Sequence, residues 1–378
     1  MADRSGAMRE RYILDGTKIA YHTDRVEAWE AGERIAPVTI DMALTRACQA
    51  SCRGCYAMLQ EPGERANITH DAAMQFLDDA AEIGVRGLSL ISDGESTLSK
   101  AYVPFIKGAV ERGMSVGNAT NGWRLTPEVS EEVLPLFDWV RFTVLAGTRE
   151  DFNRMMHHDP ENTDAWEVMQ ENVRYAVALK ERDNLAVTLG IQTFVTPDDG
   201  QKIRDFAQLG IDLGVDYAVI KHTSDDEART MGVEYERYPE IYAALHEAET
   251  MSNDTTQVIV KWSKIKTGDK PSYKRMYATP FLLQISGSGL VAPTGMLFNR
   301  QYAAYHIGNY VDEPFIDIWC SDRYWDVMNA LASDQFDAAK HMGALAIQHY
   351  TNVALDNHVK GIKRIEAATG DVPHRNFL

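Results

Sequence analysis

The chain has 378 residues, 45% hydrophobic and 25% charged, which is ordinary globular usage and leaves room for one large α/β domain plus a smaller appendage. Its formal net charge of −17 excludes a nucleic-acid binder that relies on a general basic surface, although a local basic pocket for a small anion remains compatible with it. No run approaches the ~18 apolar residues of a membrane span, and residues 1–11 are polar with no apolar export core, so a soluble, cytoplasmic protein is expected.

In chain order, residues 1–37 read as an N-terminal extension with one short helix around 27–33. From residue 38 a strand, loop, helix pattern repeats. Apolar runs mark strands at 38–44, 85–91, 115–119, 139–145, 187–194 and 217–221. Between them, 71–83 has apolar positions at helical spacing after Thr69, a suitable N-cap. The segments 102–112, 128–136, 165–180 and 201–213 follow the same logic, the last ending before Gly214. Strands alternating with such helices imply parallel βαβ units. Six units in about 190 residues fit an open, partial (β/α) barrel better than a closed eight-fold one. The stretch 223–275 then reads as polar and helical, 281–285 and 290–292 as a β-hairpin around Ser286-Gly287-Ser288-Gly289, and 315 onward as helical.

Four cysteines make no disulfide scaffold, but three of them fall within eight residues, in Cys48-Gln-Ala-Ser-Cys52-Arg-Gly-Cys55-Tyr56. This loop follows the first strand, at the end where barrel sites assemble. Spacings of four and three let one loop wrap three thiolates around one inorganic cluster, leaving a fourth iron open to an exogenous ligand. Structural zinc wants four protein ligands, and no His lies in the loop. The alternatives are three ordinary cysteines, or zinc completed by a distant ligand.

The loop, down to Tyr56, resembles the signature of the radical S-adenosylmethionine (SAM) superfamily, and the resemblance covers roughly 38–225. It implies a [4Fe–4S] cluster on Cys48, Cys52 and Cys55, with SAM on the open iron. Reductive cleavage of SAM, fed by an external donor such as flavodoxin or ferredoxin, then yields a 5′-deoxyadenosyl radical that abstracts hydrogen from substrate. Further motifs fall at the ends of later strands. Ser92-Asp93-Gly94-Glu95-Ser96 is similar to the family's Gly-Gly-Glu-Pro element for the SAM ammonium, with Asp93 and Ser96 in place of Gly and Pro. Thr120-Asn121-Gly122 resembles its Thr-Asn-Gly turn. Thr143 stands where a Ser often bonds SAM. Arg154 is the nearest counterpart of an Arg that grips the SAM carboxylate. Gln192 and Val195 lie where similar strands contact ribose and adenine. Each of these elements read alone is an ordinary turn or strand.

Residues 281–330 resemble the SPASM/twitch appendage, through the hairpin ending in Pro293-Thr294 and through Ile307-Gly308-Asn309, Ile318-Trp319 and Arg323. Where that module has its first cluster cysteine, this chain has Thr294, and one further thiol, Cys320, cannot hold an auxiliary cluster. Cys320 is read as a half-buried helix residue, the alternative being a hydrogen donor to a substrate radical. His341, His349 and His358, spaced by eight and nine, do not form a compact ligand set and are read as surface or packing residues.

The expected fold is therefore α/β, a partial (β/α)6 barrel of the radical SAM type with a small C-terminal α+β SPASM/twitch-like appendage. Its regions are an extension at 1–37, the partial barrel at 38–225, a helical connection at 226–275 and the C-terminal region at 276–378. Candidate substrate residues are Asp41 on the first strand, Lys221 ending the sixth, and Asn299 and Arg300 after the hairpin. The expected substrate is a small polar metabolite of the sugar, aminocyclitol or nucleoside type. A peptide-modifying enzyme is the alternative, but those commonly carry a recognition domain before the cysteine loop, and 47 residues precede Cys48 here. A non-enzymatic metal-binding protein is the third reading. Neither nucleic acid nor membrane is expected as a partner.

Overall fold

Ten strands form among the residues that the computed structural model describes, 16–61, 67–156, 164–342 and 347–378. They are β1 (Thr39–Met42), β2 (Gly87–Leu90), β3 (Ser115–Thr120), β4 (Trp139–Thr143), β5 (Thr188–Val195), β6 (Tyr217–His222), β7 (Gln257–Val260), β8 (Leu282–Ile285), β9 (Leu290–Ala292) and β10 (Gly308–Asn309). The first part of the expected N-terminal extension, 1–15, lies outside the described residues. Two compact units divide the chain: one comprises 16–47, Gln60–Gly117 and Lys270–Leu378, the other Cys48–Leu59 and Asn118–Asp269.

In the first unit the strand order is β10-β9-β8-β1-β2. β1 pairs in parallel with both β2 and β8, and β8-β9 and β9-β10 are antiparallel. The hairpin expected around Ser286–Gly289 thus forms, and its first strand adds directly to the edge of β1. The reason is mutual: Leu283 and Ile285 are fully buried, and β1 would otherwise leave one ladder edge unpaired. The helix His70–Ile83 starts where Thr69 Oγ1 accepts from the Ala72 N–H and stops at Gly84, which has a φ of 92°. Its Phe76 packs against Phe105 of the helix Tyr102–Glu111 and against Phe315, with ring centroids 6.3 and 5.0 Å apart. The C-terminal residues close the start of β1. Thr39 Oγ1 donates to the Asn376 carbonyl and accepts from the Leu378 N–H.

In the second unit β4, β5, β6 and β7 run parallel in that order. Side chains alternate between its two faces. Phe142, Ile191 and Ala218 point toward helices: a Cβ on Gly210, in the helix Lys202–Leu213, would come within 2.8 Å of Ala218 and 3.3 Å of Ile191. The opposite parity, Arg141, Thr143, Gln192, Phe194, Tyr217, Val219 and Lys221, forms the other face. β7 lies in the stretch expected to be helical. Gln257-Val-Ile-Val is a short β-branched run among charges, and it orders because the edge of β6 offers it a complete parallel ladder. The expected helix 128–136 stops at Val133 and tightens into a 3-10 turn at Leu134–Leu136, since Pro135 has no N–H to donate.

Candidate active site

The first unit holds the Gly-Glu element. Gly94 has a φ of 91°, and a Cβ there would lie 2.1 Å from the Thr45 carbonyl oxygen; a Cβ on Gly287 would lie 2.2 Å from the Thr45 carbonyl carbon. The Thr45–Arg46 backbone therefore runs between two glycines that no larger residue can replace. Asp93, 1% exposed, locks this arrangement. Its carboxylate accepts from the Ser286 hydroxyl at 2.7 Å and the Gly287 N–H at 2.8 Å, and pairs with the Arg46 guanidinium at 3.1 Å. Burial pushes the Asp93 carboxyl above the usual range, against the pull of these three partners. The Glu95 N–H donates to the Ala47 carbonyl at 2.9 Å, and Ser96 Oγ accepts from the Leu44 N–H at 3.2 Å. The Glu95 carboxylate is 3% exposed and accepts from the Thr97 N–H and hydroxyl, at 3.2 and 2.8 Å.

In the same unit, Asp41 is buried on β1 between Ser89 and Gln284 in register. Asn299 accepts from the Glu61 N–H at 2.8 Å, while the Arg300 side chain is 94% exposed and 3.9 Å from the Glu61 carboxylate. Thr294 is fully buried, and no partner for its hydroxyl occurs among the described residues. Cys320 is exposed at the end of the helix Phe315–Cys320. His349 and His358 are packing residues bonded to Tyr273 and Glu30.

The second unit holds the cysteine loop. The Ser51 and Arg53 N–H groups donate to the carbonyls of Met156 and Met155, at 3.1 and 2.7 Å, which pins the loop to the end of the helix Arg149–Met156. Gln49 donates to Asn121 Oδ1 at 3.2 Å, the atom that also accepts from the Trp123 N–H. Gly54 has a φ of 85°, and a Cβ there would come within 3.0 Å of Phe194 and Thr223, at the ends of β5 and β6. The Cys52 thiol is 3.3 Å from the Met156 sulfur, and Tyr56 is half-buried in a 3-10 turn. Thr143 and Gln192 are neighbours in register on one face. Val195 has the opposite parity, and its carbonyl accepts from the Tyr238 hydroxyl and the Thr223 N–H. Arg154 is exposed and pairs with Asp151 one turn earlier.

Sequence reasoning passed over Arg141 and Lys264. Arg141 lies in the middle of β4, 9% exposed, with its guanidinium 5.5 Å from the Trp139 ring centroid. Lys221, on the same face, sits 6.0 Å from the Phe194 ring centroid. Burial, then the nearby Arg141, Lys264 and Lys261, hold the Lys221 ammonium well below the usual lysine range, against the opposing pull of Cys55. Burial and Arg141 bring Lys264 down to about 8. A charge at the centre of an otherwise apolar strand was the available signal.

These residues fit the implied cofactors. Cys48, Cys52 and Cys55 are not in disulfides, and no three His, Cys, Asp or Glu side chains among the described residues form a cage for a single ion. A cluster asks for something different, because each thiolate takes its own iron and the three need not converge on one point. For SAM, a buried carboxylate beside a glycine that only close backbone contact explains is the donor set an ammonium requires.

Comparison with known proteins bears on the same residues. The model of the radical SAM superfamily matches residues 42–207. The tungsten-containing aldehyde ferredoxin oxidoreductase cofactor-modifying protein of Pyrococcus furiosus is 21% identical over 298 residues, 75% of this chain and 81% of that protein. Mycofactocin maturase MftC of Mycolicibacterium smegmatis is 23% identical over 356 residues, 88% of this chain and 83% of that one. Among solved structures, Streptococcus suis SuiB bound to S-adenosylmethionine superimposes with a TM-score of 0.60 at 13% identity, covering 80% of this chain and 70% of that one. The fold is the α/β partial barrel of radical SAM enzymes. Residues 42–207 thus carry a radical SAM domain, and proteins of that superfamily are enzymes that use a [4Fe–4S] cluster and SAM. No helix among the described residues is long and apolar enough to cross a membrane.

Proposed function

We propose that this enzyme abstracts a hydrogen atom from a small polar metabolite of the sugar, aminocyclitol or nucleoside type, with electrons from a low-potential donor such as flavodoxin or ferredoxin. Cluster and SAM supply the 5′-deoxyadenosyl radical; the chain's own residues grip and orient. Cys48, Cys52 and Cys55 would hold the cluster. Gly94 and Glu95 would take the SAM ammonium, and Asn121, Thr143 and Gln192 its remaining polar groups. The observation that supports a small polar substrate is the face of β4–β6 that carries Arg141 and Lys221. Charged groups held with little exposure suit hydroxyl and anionic substituents better than an apolar ligand.

The deciding experiment incubates anaerobically reconstituted enzyme with metabolite pools and follows substrate-dependent 5′-deoxyadenosine. Deuterium from the substrate so found is expected in 5′-deoxyadenosine. Turnover without label transfer would refute direct abstraction. The fold shared with SuiB, whose structure bound to the precursor peptide SuiA is known, makes a peptide the competing substrate, and a peptide as the only productive substrate would replace the metabolite reading.

A further inference from the structure

The cation-rich face of the second unit has a consequence for what the enzyme binds. Arg141 on β4 and Lys221 on β6 have the same parity, two strands apart; Arg141 is in register with Gly190 and Tyr217, and Lys221 with Phe194, four residues further along the same face. Gly190 is glycine because Tyr217 covers it: a Cβ would lie 2.2 Å from that ring. The Tyr217 hydroxyl accepts from Arg141. The Arg141 Nε–H is buried and finds no acceptor among the described residues, and neither Arg141 nor Lys221 has a carboxylate partner there. Lys264, in the helix Trp262–Thr267, and Lys261 just before it add their fields to that of Lys221. Asp216, the nearby acid on Tyr217, is engaged by Lys180 and the Leu189 N–H. A protein with a net charge of −17 thus gathers like charges on one sheet face, where they repel one another. An uncompensated buried guanidinium is costly unless a ligand satisfies it.

We propose that Arg141 and Lys221, with Lys264 beside them, form the subsite for a phosphate group of the substrate. The inference rests on the radical SAM reading and narrows its substrate class to phosphorylated small molecules. The guanidinium fork matches tetrahedral phosphate oxygens, and the lysines add point charges without demanding one geometry. The single carboxylate of SAM offsets one unit of the positive charge that Arg141 and Lys221 bring. A phosphate carrying up to two negative charges offsets more of it.

The test is calorimetric titration of the anaerobically reconstituted holoenzyme with pyrophosphate, citrate and SAM. Pyrophosphate is expected to bind the wild type, to raise its melting temperature, and to bind Arg141→Gln and Lys221→Gln at least tenfold more weakly. SAM affinity should change less than twofold. The charge-preserving Arg141→Lys should lose at least threefold in pyrophosphate affinity with an unchanged circular dichroism spectrum, because its ammonium lacks the fork. Equal pyrophosphate affinity in wild type and variants would overturn the proposal, as would binding of citrate alone. A parallel loss of SAM affinity would assign the cluster of cations to the SAM carboxylate instead. Iron content and dithionite-driven SAM cleavage by the wild type are read separately, so failure of the radical SAM reading shows as their loss.

Discussion

Asp93 and Arg141 are both charges taken out of water, and the molecule treats them in opposite ways. Asp93, in the first unit, meets an arginine, a hydroxyl and a backbone N–H, and it fastens the turn at Ser286–Gly287 to the backbone that leads into the cysteine loop. Arg141, in the second, meets the Tyr217 hydroxyl and the Trp139 ring but no carboxylate partner among the described residues, and its charge acts on Lys221 and Lys264. A charge whose needs are met inside the fold is structural. A charge whose needs are left open, next to others like it, is held ready for something the fold does not contain. The difference also predicts how the two regions respond to mutation: the first loses stability, the second loses ligand.

The sharpest division is by metal. Cys48→Ala, Cys52→Ala and Cys55→Ala are each expected to abolish iron binding, taking about four irons per chain to near zero by iron and sulfide analysis. Cys320→Ala, at an exposed helix end, should leave iron unchanged; about eight irons per chain in a homogeneous preparation would show a second cluster.

Asp93→Ala tests the structural region directly. It removes one member of a buried, hydrogen-bonded pair and should cost about 3 kcal/mol in chemical denaturation. Asp93→Asn, which keeps one acceptor, for the Gly287 N–H, and loses the one that faces Ser286 and Arg46, should cost less than Asp93→Ala, about 1–2 kcal/mol. If Asp93→Ala were as stable as wild type, the contrast with Arg141 would collapse.

The same unit carries a proton-linked term. His22 is buried, its Nδ1 accepting from Arg86 and its Nε2–H donating to the Arg375 carbonyl. Burial chiefly, with the Arg86 charge, lowers its pKa to about 4 from 6.5, against the Arg375 hydrogen bond and Asp24. The unfolded chain therefore binds this proton more readily between those values. The contribution is fully present above pH 6.5 and is lost as pH falls toward 4, by at most about 3 kcal/mol. Denaturation midpoints measured across that window should fall for the wild type and flatten for His22→Gln.

Glu95→Ala should weaken SAM binding by about 1.5–3 kcal/mol, the scale of a charge-assisted hydrogen bond, while costing less stability than Asp93→Ala. Unchanged SAM affinity, measured by equilibrium dialysis, would move the ammonium site elsewhere.

The cysteine loop, the βα alternation and the hairpin were legible because each is a local pattern. Thiol spacing, hydrophobic periodicity and Gly-rich turns are written in neighbouring residues, and the helix start at Thr69 and stop at Gly214 followed from capping alone. Strand β7 was passed over because four residues among charges carry little periodic signal, and only the free edge of β6 gives them a partner. The roles of Asp93 and Gly287 are separated by 194 positions in the chain, so no local pattern connects them. Asp93 read as a departure from a family motif; in the fold it is the residue that makes the departure workable. The sequence by itself determined the chemistry the chain can host, since three thiols in one loop and a Gly-Glu turn after a strand need no distant partner to be recognised. Only the tertiary structure decided which charges are answered and which are left open, because pairing depends on strands that meet through register. Arg141, Lys221 and Lys264 come from three elements, and their shared field exists only once β4, β5 and β6 lie side by side.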